Sequence, residues 1–261
     1  MTGNEAFERA RKDNRAVLVG YLPAGFPSYD GCITALRAMV DAGVDVVEVG
    51  LPYSDPVIDG PTIQAAAEIA LRGGTRTRDV LRTVEAVAAT GAAAVVMTYW
   101  NPVLRYGVDA FARDLASAGG AGLITPDLIP EEAGEWLAAS EAAELERIFL
   151  VAPSSTPARI SSTVAACRGW VYAASTMGVT GARTTTSSVA PALVARVREA
   201  TSLPVGVGLG VSNGDQAAEV ASYADGVIVG SAFVRPLLDD PEGVAVVAKL
   251  AAELREGATR R

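Results

Sequence analysis

A single (β/α)8 barrel of the α/β class is the architecture this sequence predicts, and three observations predict it. Eight short apolar runs, most rich in β-branched residues, alternate with stretches of helical period. No linker of changed composition separates them. The length of 261 residues fits one such TIM barrel, for which about 250 is typical. The whole chain, 1–261, therefore reads as one domain with its core at about 16–255 and extra helices around it. An alternation of this kind favours a barrel over a doubly wound sheet.

The elements follow in order. Residues 4–14 form a short amphipathic helix that could close the bottom of the barrel. Ala16 to Leu22 is the first strand, followed by a loop with Tyr21, Gly25 and Pro27 near it. A helix over 31–42 is stopped by Gly43, placed as a C′ glycine. The second strand starts at Val44. Helices over 62–72 and 77–89 flank Gly73-Gly74. The third strand, 92–100, runs up to Asn101-Pro102. Helix 108–118, a fourth strand from Ala121, helix 131–143 and a fifth strand at 147–153 come next. Helix 157–167 leads to a sixth strand at 169–174. Residues 175–188, rich in Gly, Ser and Thr, read as a long mobile loop. Helix 189–200, strand 203–207, helix 215–221 and strand 225–229 complete the barrel. Helices over 231–238 and 242–255 end it, with a frayed tail, GATRR.

Composition narrows the function. The net charge is −8, and no basic stripe marks a nucleic-acid surface. No apolar run reaches the length of a membrane span, and the polar N-terminus lacks the core of a signal peptide. Cys32 and Cys167 have no metal-like spacing and read as single thiols in a cytoplasmic protein. There is no histidine, so His triads, His metal sites and a His base are excluded. Proton transfer falls to carboxylates, Tyr, Lys or Cys.

The stretch from Val44 to Gln64, VDVVEVGLPYSDPVIDGPTIQ, concentrates the chemistry. Its start is a near-continuous apolar strand of the kind buried on both faces. Glu48 is out of place there, since a buried carboxylate is costly unless paired or used. The rigid loop beyond carries Asp55 and Asp59. Taken alone, a loop Asp more often caps a helix or holds a turn, and Asp59 stands just before a helical run. In a parallel barrel, however, the C-terminal strand ends carry the chemistry.

Glycines near the ends of the last three strands give a second signal: Gly178 and Gly181, then Gly206, Gly208 and Gly210, then Gly230 with Ser231. Glycine lets backbone N–H groups approach a phosphate, and a short helix after the eighth strand would aim its N-terminus at the anion. One GxGxG alone is as readily a packing device. Three glycine sites at the right barrel positions favour phosphate.

With Glu48, PYSDP at 52–56 and DGPTIQ at 59–64, the chain resembles the tryptophan synthase α-subunit family from about Val19 to Leu238. That resemblance implies cleavage of indole-3-glycerol phosphate to indole and glyceraldehyde 3-phosphate, with Glu48 and Asp59 as catalytic acids. It carries phosphate contacts onto Gly181, Gly210, Gly230 and Ser231. Thr180 becomes the lid residue that meets the catalytic Asp. Tyr172 becomes a wall of the site, and Tyr21, Met97, Ile124, Pro126 and Leu209 the indole pocket. It implies no metal or organic cofactor in this chain, pyridoxal phosphate belonging to a β subunit. The β subunit is the implied partner, in an αββα assembly, with Asp55 and the 52–58 loop near the interface. A free-standing lyase of the same fold, and a non-catalytic subunit that only activates β, are the alternatives. The sequence departs from the family at Tyr21, often Phe, at Ile129, often Pro, and in the run Thr184–Thr186.

Overall fold

The computed structural model describes residues 1–174, 189–208 and 210–260. Among these, nine parallel strands form one sheet in the order β5-β4-β3-β2-β1-β9-β8-β7-β6. They are β1 (Val17–Pro23), β2 (Val46–Gly50), β3 (Ala93–Met97), β4 (Gly122–Ile124), β5 (Glu146–Ile148), β6 (Leu150–Val151), β7 (Val171–Ala174), β8 (Val205–Gly208) and β9 (Gly226–Val229). The predicted fifth strand is present as two short pieces. β5 pairs with β4, and β6 pairs with β7. Phe149 lies between them, and its carbonyl accepts the Tyr172 N–H at 3.2 Å. One barrel strand thus serves one neighbour with its first half and the other with its second. The strand count of nine is the expected eight with this one divided.

Twelve α-helices surround the strands among the described residues: α1 (Gly3–Lys12), α2 (Tyr29–Asp41), α3 (Pro61–Arg72), α4 (Thr77–Ala88), α5 (Trp100–Tyr106), α6 (Val108–Ser117), α7 (Gly134–Ala142), α8 (Pro157–Ala166), α9 (Ala190–Ala200), α10 (Gly214–Ala221), α11 (Ser231–Asp239) and α12 (Val244–Thr259). Two sequence expectations are corrected here. The third strand stops at Met97, and Trp100 opens α5. Pro102 falls in the first turn of α5, where its missing N–H would have had no intrahelical partner. The tail is not frayed through Thr259: Gly257 and Ala258 are buried in α12. The Ala258 carbonyl accepts the Ala16 N–H at 3.0 Å, and a side chain at Gly257 would collide with the Gly214 backbone.

Strand periodicity sorts the core into two layers. Val47 and Val49 face the helices, while Val46 faces the barrel interior with Val17, Val19, Val95, Ile148 and Ile228. Glu48 shares the interior face with Val46. The bottom of the interior is closed by α1, whose Phe7 packs on Trp170 with ring centroids 5.6 Å apart. Trp170 in turn stacks on Tyr172 at 5.9 Å. An aromatic column therefore joins the bottom plug to the upper barrel. The N-terminus of α1 is held by buried Glu146, which accepts the N–H groups of Gly3 at 3.1 Å and Asn4 at 2.8 Å.

Candidate active site

A cleft of about 530 Å³ opens at the C-terminal ends of the strands. Its lining includes Tyr21, Glu48, Asp59, Met97, Tyr172, Gly208, Gly210, Gly230 and Ser231. The fold thus gathers from six strand ends the residues that the sequence scatters over 211 positions. Leu51, Thr98, Tyr99 and Pro126 line a smaller recess beside it, which Tyr21, Asp59 and Met97 share. Ile124 is not part of either wall; it is fully buried in the inner core. Thr180, Gly181, Gly178, Leu209 and the 175–188 loop lie outside the described residues. Ile63, Val211, Ile228 and Ala232 also line the cleft, and nothing in the sequence distinguishes such apolar residues from ordinary core.

Glu48 is 1% exposed, and its Oε1 has no hydrogen-bond partner among the described residues. Burial pushes its carboxyl up to about 8. Among the described residues no arginine or lysine lines the cleft to counter this. Near neutrality the acid is therefore mostly protonated yet easily ionised, as a group that gives and takes protons requires.

Asp59 is not a helix cap. Gly60 is the N-cap of α3, without a side-chain cap, and Pro61 is its first helical residue. Asp59 is held from the neighbouring loop instead. The Tyr99 hydroxyl donates to its Oδ1 at 3.0 Å and accepts the Ile58 N–H at 3.1 Å. The Gln64 amide donates to the Asp59 carbonyl at 2.6 Å. Burial raises the Asp59 pKa, and the Tyr99 hydrogen bond works against that rise. Tyr99 is anchored through its own backbone neighbour, since the Trp100 N–H donates to both Asp127 oxygens at 2.9 and 3.1 Å. Its ring packs on Tyr53 at 5.5 Å. Tyr99 was not singled out from the sequence. The available signal was its place just past the C-terminal end of a barrel strand.

Two tyrosines form the side walls, and each lies on a glycine. A Cβ at Gly50 would come within 2.5 Å of the Tyr21 hydroxyl, and one at Gly208 would strike the Tyr172 hydroxyl. On the far side, α11 begins at Ser231 after Gly230, with Gly230, Ser231 and Ala232 facing the cleft. Gly210 has φ +71°, a conformation suited to glycine. An anion at this end would meet backbone N–H groups and the positive end of a helix dipole. Among the described residues no group of three or more His, Cys, Asp or Glu side chains could hold a metal ion. Cys32 and Cys167 are buried free thiols, and neither lines the cleft or its recess.

Fold and site together define a barrel enzyme whose cleft holds two acids of unequal environment, with a helix N-terminus and glycines on its far side. The sequence matches the family described as tryptophan synthase alpha chain over residues 7–259. The tryptophan synthase alpha chain of Nocardia farcinica is 64% identical over 96% of this chain and 93% of that one. That of Salinispora tropica is 64% identical over 97% and 96%. Among solved structures, Mycobacterium tuberculosis tryptophan synthase superimposes with a TM-score of 0.94 at 60% identity, covering 98% of both chains. The alpha subunit of Legionella pneumophila does so with 0.90 at 29% identity and complete coverage of both chains. The chain belongs to the tryptophan synthase alpha chain family, and its activity is the alpha reaction of tryptophan biosynthesis.

Proposed function

We propose that Glu48 and Asp59 carry a retro-aldol cleavage of indole-3-glycerol phosphate in this cleft, without a metal or organic cofactor. The observation that supports this most is the contrast between the two acids. Glu48 is enclosed, with no partner for its Oε1 among the described residues and its carboxyl pushed up to about 8 by burial, whereas Asp59 is oriented by the Tyr99 hydroxyl, which opposes the rise that burial causes. In the reaction a proton adds at carbon 3 of the indole ring, giving an indolenine cation. Asp59 accepts the ring N–H and stabilises that charge. Glu48 serves the proton transfers at carbon 3 and at the glycerol hydroxyl. That hydroxyl loses its proton as the carbon–carbon bond breaks, the bonding electrons return to the ring, and indole and the aldehyde separate. Tyr21, Tyr172 and Met97 enclose the ring. Gly210, Gly230 and Ser231 receive the phosphate, with Gly181 contributing from the loop, and Thr180 of that loop meets Asp59.

The partner that fits is a tryptophan synthase β subunit, in the cytoplasm. Val57, Leu104 and Ile129 are 69%, 48% and 41% exposed, and they stand on the consecutive segments that follow β2, β3 and β4. These segments belong to the rim of the catalytic end, where apolar side chains suit a docking partner. No helix among the described residues is long and apolar enough to cross a membrane.

Indole release by the purified chain tests this, with and without a β subunit. Slow turnover that β accelerates, lost in Glu48→Gln and in Asp59→Asn, is the expected result. Fast turnover indifferent to β would point to a free-standing lyase. Full activity in either variant would remove that acid from the mechanism.

A further inference from the structure

The reaction above uses Tyr21 and Tyr172 as walls and leaves both of their hydroxyls without a role; that of Tyr21 stands nearer in the sheet to Glu48. Tyr21 on β1 is paired in register with Glu48 on β2. Its ring leans across β2, so that the hydroxyl lies over Gly50, two residues beyond Glu48 on the same face. That glycine is what makes room for it. The side chain is 8% exposed, and the hydroxyl has no hydrogen bond among the described residues. Burial first, then the Asp59 and Glu48 carboxylates, push its pKa well above its ordinary value, so it remains a donor throughout the working pH range.

The two acids differ in their need for a donor. Asp59 already receives the Tyr99 hydroxyl. Among the described residues nothing donates to the Glu48 Oε1, and a carboxylate ionised in that enclosure requires a donor. The titratable groups that line the cleft with it are Tyr21 from β1, Tyr172 from β7 and Asp59 from the loop after β2, and Tyr99 lines the adjoining recess. β3 offers apolar Val95 in register with it. Tyr172 is braced on the opposite wall over Gly208. Tyr21 is the hydroxyl on the adjacent strand.

We propose that Tyr21 is a positioning residue whose hydroxyl donates a hydrogen bond to the Glu48 carboxylate whenever that acid is ionised. This rests on the reading of Glu48 as the proton-shuttling acid and gives it a partner. A phenylalanine at this position would keep the ring wall and lose the donor.

The test is Tyr21→Phe, which keeps the ring over Gly50 and so keeps the fold. Carbon-13 NMR of the Glu48 carboxyl, in enzyme without substrate, should show its titration moved to higher pH, because the ionised form has lost its donor. The limb of the kcat/KM profile set by Glu48 should move the same way. We expect kcat to fall about tenfold, with KM within about twofold, as for loss of a hydrogen bond to a charged group. Tyr172→Phe should move the titration less. An unmoved titration in Tyr21→Phe, or a larger shift in Tyr172→Phe, would overturn the proposal. Glu48→Gln separates the two readings: if it stays active, the role of Glu48 in the reaction fails, while the NMR titration still decides the contact.

Discussion

The Tyr99 hydroxyl bridges the Ile58 N–H and the Asp59 carboxylate, so a side chain after β3 fixes the acid carried by the loop after β2. Tyr99→Phe removes both hydrogen bonds and keeps the ring on Tyr53. We expect kcat/KM to fall roughly 10- to 100-fold, the range for a hydrogen bond to a charged group, with little loss of stability. The Asp59 pKa should rise, since the interaction that opposed its elevation is gone. Steady-state kinetics and thermal unfolding on the same preparation check both.

Glu48 also makes stability depend on pH. Its folded pKa of about 8 lies above the unfolded value near 4.5, so the native state holds a proton that the unfolded chain has released. The stabilisation is full below about pH 4.5 and is lost as pH rises to about 8. Glu48→Gln carries no ionisable group there. It should therefore melt at a higher temperature than the parent above pH 8, the difference shrinking as pH falls. Melting curves of the two proteins across pH 5–9 compare them directly, and an opposite trend would mean that Glu48 is ionised at little cost.

Gly208 is required by the Tyr172 hydroxyl that lies against it. Gly208→Ala should displace Tyr172 into the cleft. We expect catalytic efficiency to drop at least tenfold, while substitution at Gly134, where a Cβ meets nothing within 4 Å, leaves activity unchanged. Kinetics of the two alanine variants give the contrast.

At the opposite end, Glu146 receives two backbone donors of α1. Glu146→Ala leaves those N–H groups without their acceptor and should cost about 1–3 kcal/mol. Loss of hydrogen-exchange protection at Gly3 and Asn4, ahead of the rest of α1, is the expected signature. Because Phe7 of α1 supports Trp170, and Trp170 supports Tyr172, a weaker effect on activity should accompany it.

Much of this was legible in the residues themselves. The β-branched runs announced the strands, because a strand covered on both faces must be apolar on both, and that made Glu48 conspicuous among Val46, Val47 and Val49. The glycines at 208, 210 and 230 stood out as well, and the fold places all three on the cleft, where Gly208 makes room for the Tyr172 hydroxyl. The division of the fifth strand and the start of α5 at Trp100 were not legible. The first depends on which neighbour each half of the strand can reach around a closed barrel, and the second on Asp127, 27 residues away, holding the Trp100 N–H.

The sequence by itself therefore determined the alternation of strands and helices, the absence of histidine chemistry, and the two acids with their family. Tertiary structure alone decided which groups act on those acids. Tyr99 reaches Asp59 across 40 residues, and Tyr21 reaches the neighbourhood of Glu48 across a strand pairing. Local propensity acts over a few residues, whereas burial and hydrogen bonding act over a few ångströms. Only barrel closure turns distances in the chain into distances of that size.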